Sequence, residues 1–291
     1  MRAICYTEDR SLEVREVPAL TEPAPGHVLV NMDSASIMNG DKFFLTHPLP
    51  NGTWATALHN IYGAAQVPYE TCLILPENLR ARDYSGSFAH LLTMHAFLEL
   101  ARSEGHRGVI VTAGSAATGL IAASFTRRQG IPAIFLVRSE ASRERLENLG
   151  IEHVLVTSDD SFEAQLLDLA ARLDATAVFD SVGGELLGRI LPSLPIGGTV
   201  YVAGILNAST PAVISSLDIV EKNLTIKRYS LLETETVLDP EKLAAATREI
   251  EALVDDPLLT TRIGKEFRLD QIDDAMAYHS SAGLRAVLVA R

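Results

Sequence analysis

The sequence predicts an α/β protein, a parallel sheet with helices on both faces, joined to a smaller, mainly β module. From about residue 108, short uninterrupted apolar runs alternate with helix-length stretches. Strands that are apolar throughout, each followed by a helix, belong to a parallel sheet covered on both sides. The chain also changes character near residue 85. Before that point "RAICYT", "LEVREV" and "HVLVNMDSASI" are β-branched and alternating, with the Pro/Gly-rich "PALTEPAPG" between them. Such segments form antiparallel strands.

Each element of the larger part has its own signal. "GVIVTA" is a strand, and "TGLIAASFTRRQ" is a helix closed by Gly130. "PAIFLVR" is a strand, and "SRERLENL" a helix closed by Gly150. "HVLVT" is followed by a helix that Asp160 opens, three residues before Glu163, as in a capping box. "TAVFDS", "GELLGRIL", "GTVYVAG" and "NLTIKRYSL" continue the alternation. Asp239-Pro240-Glu241 starts a further helix with an N-cap, a proline at the first position and an acid at the positive end of the dipole. "RLDQIDDAMAYH" is a helix, and "RAVLVA" is a last strand placed to return to the N-terminal module.

Composition narrows the function. A net charge of −12 over 291 residues repels phosphate backbones, so nucleic acid is not an expected partner. Apolar runs are broken by Arg, Asp or Gly, so no membrane segment is expected, and the N-terminus lacks the apolar stretch of a signal peptide. Two cysteines make neither a disulfide framework nor a four-thiolate zinc site. A cytoplasmic protein is the expectation.

Chemistry is clearest at the turn between the first strand and helix of the larger part. Gly114, Ser115, Ala116, Ala117, Thr118 and Gly119 are all small, which lets phosphates approach the backbone N–H groups of a helix N-terminus. The G-x-G-x-x-G spacing is missing, and a tight strand–helix junction also favours small residues. The second strand ends in Arg138 and Ser139, where NAD-selective proteins place an acid. A guanidinium and a hydroxyl, with Arg143 one turn on, suit a 2′-phosphate and hence NADPH. The other reading makes Arg138 and Arg143 solvated charges paired with Glu140 or Glu144. Asp180, Val182, Gly204 and Ile205 follow strand ends, on the ligand edge of an open parallel sheet.

Taken in order, these segments resemble the medium-chain dehydrogenase/reductase superfamily, in its zinc-independent quinone oxidoreductase and enoyl reductase branch. "VTAGSAATGLIAASFTRRQG" is similar to that branch's phosphate turn and helix, and "FDSVGG", "LPSLPIGGTVYVAGI" and "NLTIKRYSL" to its later segments. The resemblance implies a Rossmann-type dinucleotide domain over 93–261. It also implies a GroES-like catalytic domain over 1–92, completed by 262–291. The latter is shortened, because the segment of type P-x-x-x-G-x-E-x-x-G-x-V and the G-D-x-V turn are absent. The branch commonly dimerises along the edge strand "NLTIKRYSL", so a homodimer is expected.

No metal is expected. Met38 stands where zinc-dependent relatives have a cysteine ligand, and a thioether is a poor zinc ligand. Asn39 matches an asparagine common in the branch and would orient a substrate carbonyl, with Asp41 beside it; both also suit a turn. Thr93, in "LLTMHAFLEL", matches a threonine near the nicotinamide. His95 is either a proton donor or a packed core histidine. The expected activity is NADPH-dependent reduction of a quinone, enone or enoyl group. Two alternatives stand beside it: an NADPH-binding accessory or non-redox protein, and a scaffold with an empty phosphate turn.

Overall fold

The structure, a computed structural model, describes residues 2–6, 12–16, 22, 25, 27–31, 34–37, 64–68, 80–85, 87–207, 209–279 and 284–289. The chain divides into two compact units, Thr93–Asp239 and the combination of Met1–Leu92 with Pro240–Arg291. The return to the first unit falls at residue 240, earlier than the 262 expected from the sequence. The physical reason lies in residues 240–261, which bond back to the N-terminal segment. The Tyr84 hydroxyl donates to the Val254 carbonyl, and the Thr261 N–H donates to the Asp83 carbonyl at 2.5 Å.

In the first unit the early strands form antiparallel pairs. β1 (Arg2–Tyr6) pairs with β2 (Leu12–Glu16), and β3 (His27–Asn31) with β5 (Ala64–Pro68). β4 (Ser34–Ser36) lies antiparallel to the final strand β13 (Arg285–Val289), Leu288 opposite Ala35. The last strand therefore does return to the N-terminal module. β12 (Ile263–Arg268), which the sequence pattern had not suggested, lies parallel to β13. Ile37, Phe267, Leu269, Ile272, Ala275 and Leu288 form this unit's small core.

In the second unit six parallel strands stand in the order β11-β10-β9-β6-β7-β8. They are β6 (Gly108–Val111), β7 (Ala133–Val137), β8 (Val154–Val156), β9 (Ala175–Asp180), β10 (Thr199–Val202) and β11 (Thr225–Arg228). This is the Rossmann order, and it reverses between β6 and β9. Alternation across the pleat sorts the side chains into two layers. Ile110, Ile134, Leu136, Val178 and Val200 face a core built with α4 (Phe162–Arg172) and α5 (Gly184–Ile190). Phe179 and Tyr201, on the alternate register, meet Phe97 of α1 (Ser87–Ser103), with ring centroids 5.0 and 5.3 Å apart. α2 (Ala117–Gln129) and α3 (Glu140–Glu147) follow β6 and β7.

Local details mostly follow the sequence signals. Gly130 ends α2 in the left-handed region at φ 65°, as its position predicted. Asp160 does not open α4. The N-cap is Ser161, with no side-chain cap bond, and its own N–H donates to Asp159 Oδ1 at 2.8 Å. Hydrogen bonds from Ser161 and Gln165 hold the Asp159 carboxyl below its usual range.

A polar cluster closes the α1 side of the sheet. Lys227 Nζ donates to both Glu104 oxygens at 2.6 Å, and the Tyr201 hydroxyl donates to Glu104 Oε2 at 2.8 Å. Burial would raise the Glu104 carboxyl, but the bonds from Lys227 and Tyr201 outweigh it and hold the group below its usual value. Phe97 is fully buried beside this cluster. Phe97→Ala is expected to cost about 3–5 kcal/mol by deletion of a buried aromatic side chain, measured as a lowered denaturant midpoint with an unchanged slope.

In the first unit the half-buried His90 ring takes a hydrogen bond from Arg285 Nη2 at 2.8 Å. Burial, then the Arg285 charge, push its pKa down to about 3. An unfolded histidine titrates near ~6.5. Between those values the folded chain binds fewer protons than the unfolded one, so the contribution is complete above about 6.5 and is lost progressively as pH falls toward 3. The melting-temperature difference between the parent and His90→Gln is therefore expected to shrink from pH 7.5 to pH 5; a constant gap would contradict the pairing.

Candidate functional site

The carboxyl ends of β6 and β9 lie where the strand order reverses, which is where ligands bind in open α/β sheets. The turn after β6 occupies this position. Thr112 is wholly buried, and Ala113 takes a positive φ of 50°, a conformation that bends the chain sharply at the strand end. The Gly114 N–H donates to the Leu136 carbonyl of β7 at 2.8 Å, which ties the turn to the neighbouring strand. α2 then begins at Ala117 behind an extended Ala116.

Two glycines make this compactness possible. A Cβ on Gly119 would lie 2.2 Å from the Gly114 carbonyl oxygen, and one on Gly114 would lie 2.9 Å from the Phe135 Cβ. The helix therefore starts in contact with the backbone of the turn. The first-turn N–H groups of Ala117, Thr118 and Gly119 have no intrahelical acceptor, and no side chain caps them. Ser115, Ala116, Ala117 and Thr118 are partly exposed, so the N–H groups of Ser115, Ala117 and Thr118 and the two hydroxyls are within reach of a ligand, while the Ala116 N–H donates to the Ala113 carbonyl at 2.8 Å. An anion is what such a helix start favours.

At the end of β7, Arg138 and Ser139 are exposed, and Arg138 has no ion pair among the described residues. Ser158 joins them, its hydroxyl donating to the Arg138 carbonyl at 3.2 Å. Arg143 differs: it pairs with Glu140 and, at 3.7 Å, with Glu147. Its partner one turn on is Glu147 rather than Glu144, because α3 starts at Glu140 and places 143 and 147 on one face. Of the two arginines, Arg138 is the one whose guanidinium has no ion pair among the described residues.

Asp180, at the end of β9, is fully buried. Its Oδ1 accepts from Thr112 Oγ1 at 2.9 Å and from the Val182 N–H at 3.0 Å, and its Oδ2 from the Gly183 N–H at 3.1 Å. The carboxylate is thus spent on the protein itself. Val182, half-buried, accepts at its carbonyl from Asn207 N–H at 2.8 Å, and this brings the Gly204–Ile205 loop alongside. Gly204 is needed there, since a Cβ would meet the Ser181 carbonyl at 2.7 Å, while Ile205 is about half exposed.

Thr93 and His95 lie on α1. The Thr93 carbonyl accepts from the Tyr229 hydroxyl at 2.7 Å, and burial raises the Tyr229 pKa so that the phenol stays protonated. His95 is buried. Asn39 and Asp41, with Met38, lie outside the described residues. Among the described residues no three of His, Cys, Asp and Glu converge as a metal set, and no helix is long and apolar enough to cross a membrane.

The zinc-binding dehydrogenase family model matches residues 117–250, from the first residue of α2 to the end of the sheet's last crossover and beyond. The quinone oxidoreductase of Thermus thermophilus, known also in complex with NADPH, superposes with a TM-score of 0.72 at 19% identity, covering 99% of this chain and 100% of that one. The acrylyl-CoA reductase AcuI of Ruegeria pomeroyi is 24% identical over 181 residues, which is 60% of this chain and 52% of that protein. A phenolphthiocerol/phthiocerol polyketide synthase subunit of Mycobacterium tuberculosis is 26% identical over 147 residues, 48% of this chain. The chain spans 7% of that synthase and about half of the reductase. The sequence pattern singles out the small-residue turn but does not show Thr112 as a partner of Asp180, or Ser158 beside Arg138. A buried Thr-to-Asp bond across 68 residues leaves no local pattern.

Because the Gly119 Cβ position is filled by backbone, Gly119→Ala is expected to cost about 1–3 kcal/mol through overpacking, read as a lowered melting temperature. Gly105→Ala, where nothing lies within 4 Å but φ is +89°, provides the comparison for strain without a clash.

Proposed function

We propose that the protein is an NADPH-dependent reductase that delivers hydride to a quinone or an α,β-unsaturated carbonyl or enoyl substrate without zinc. The observation that carries this reading is the uncapped start of α2, pressed against the turn by Gly119, at the reversal point of the sheet. The residues present fit the cofactor: small, partly exposed side chains at 115–118 and an uncapped helix start would let a pyrophosphate approach the N–H groups of Ala117, Thr118 and Gly119. NADPH would supply the hydride. Arg138, with Ser139 and Ser158 around it, would hold the 2′-phosphate, and Arg143, already paired with two glutamates, would add less.

The remaining roles rest on the resemblance. Thr93 would face the nicotinamide side, its helix held by the bond from Tyr229. His95 would serve as proton donor, while Asn39 and Asp41 would orient the substrate carbonyl. Val182, Gly204 and Ile205 would border the cofactor, with Asp180 shaping their loop from within. Met38 in place of a cysteine ligand supports a reaction that relies on position and hydrogen bonds rather than on a metal. The N-terminal unit is read as a shortened GroES-like catalytic domain. The open side of β11, which pairs only with β10 among the described residues, supports association into a homodimer. The names of the relatives cover both a quinone acceptor and an acrylyl thioester, and the proposed substrate class includes both.

The test is NADPH oxidation by the purified protein across a panel of quinones, enals and acrylyl-CoA. Turnover with at least one acceptor is expected; none across the panel would defeat the reductase reading. A charge-assisted bond to phosphate is worth about 1.5–3 kcal/mol. Arg138→Ala is therefore expected to raise the KM for NADPH about ten- to a hundredfold and to leave NADH use nearly unchanged.

A further inference from the structure

The geometry points to Thr112 as a positioning residue that, through Asp180, sets the phosphate turn for cofactor binding. This inference rests on the NADPH reading above. The Thr112 hydroxyl has both of its capacities in use. It donates to Asp180 Oδ1 at 2.9 Å and accepts from the Ser181 N–H at 2.8 Å. The backbone N–H of the same residue donates to the Phe179 carbonyl at 3.1 Å, so Thr112 is fastened to the end of β9 at two levels.

The next residue, Ala113, turns into the left-handed region, and Gly114 is bonded to β7. The phosphate turn is therefore held from both neighbouring strands, by Gly114 on one side and by the Thr112 hydroxyl on the other. Asp180 extends the tie. Its carboxylate gathers the N–H groups of Val182 and Gly183, and its carbonyl accepts from Ala203 at 2.7 Å and Gly204 at 3.1 Å. The loops after β6, β9 and β10 thus meet on Asp180, the first two at its carboxylate and the third at its backbone carbonyl. No Lys, Arg or His pairs with it among the described residues, so its charge is met by N–H and O–H donors alone. Such a group is costly to leave short of a donor. Without the Thr112 hydroxyl, Asp180 loses one donor, Ser181 loses its acceptor, and the N–H groups at the start of α2 lose their fixed aim.

Thr112→Val keeps the volume and removes the hydroxyl, while Thr112→Ser restores it. NADPH titration by protein fluorescence should give a dissociation constant raised about tenfold in Thr112→Val and within threefold of the parent in Thr112→Ser. The KM for NADPH should follow, with kcat at saturating NADPH changed less than twofold. If Thr112→Val does not yield folded protein, Thr112→Ala is compared with Thr112→Ser, two small residues that differ in the hydroxyl. A valine or alanine variant that melts lower yet binds NADPH as tightly as the serine variant would overturn the positioning role. A parent protein that ignores NADPH would overturn the cofactor reading and this inference with it.

Discussion

The contact of Gly119 with the backbone of Gly114 is the constraint on which the candidate site depends. A side chain of even one carbon at 119 would sit 2.2 Å from a carbonyl oxygen. The first turn of α2 would then have to lift away from β6, and its N–H groups would leave the strand end. Everything that makes the turn receptive to an anion follows from this closeness: small residues throughout, no side-chain cap, and a helix dipole aimed at the reversal point of the sheet. The left-handed Ala113 belongs to the same arrangement, because the strand must bend within one residue for the helix to begin so soon.

Around that contact the unit is organised in layers. One face of the parallel sheet is aliphatic, packed by α4 and α5. The other is aromatic, with Phe97, Phe179, Tyr201 and Tyr229 arranged edge to face, and it holds α1 in place. The two polar knots lie within this scheme. Glu104 with Lys227 and Tyr201 anchors the end of α1, and Asp180 with Thr112 joins the loops at the carboxyl edge. The first pairs opposite charges; the second satisfies a carboxylate with neutral donors only.

The turn residues, the alternation of strand and helix, and the returning last strand are all legible in the chain. Each depends on residues close together in sequence: small side chains before a helix, apolar runs of strand length, and Gly130 at a helix end. The resemblance to dehydrogenases added the order of the segments. The commitments of individual polar groups were not legible in this way. Arg138 and Arg143 look equivalent in "VRSEASRE", yet one is paired with two glutamates and the other is not, because the helix starts at Glu140 and places Glu147 one turn above Arg143. Asp159 and Asp160 are likewise adjacent acids, and only the fold shows that the first takes the N–H and hydroxyl of Ser161 at the start of α4.

By itself the amino-acid sequence determined the class of fold, the position of the small-residue turn and the absence of a G-x-G-x-x-G motif, because these reside in local size and periodicity. Tertiary structure alone decided what the buried polar groups do. Asp180 follows a strand as a ligand-edge residue would, but folding brings Thr112 against it across the sheet, and a carboxylate enclosed by donors is committed to holding loops together. Partners that meet only through parallel strand pairing have no signature in the spacing of the chain, since the intervening helices set their separation and the sheet sets their contact.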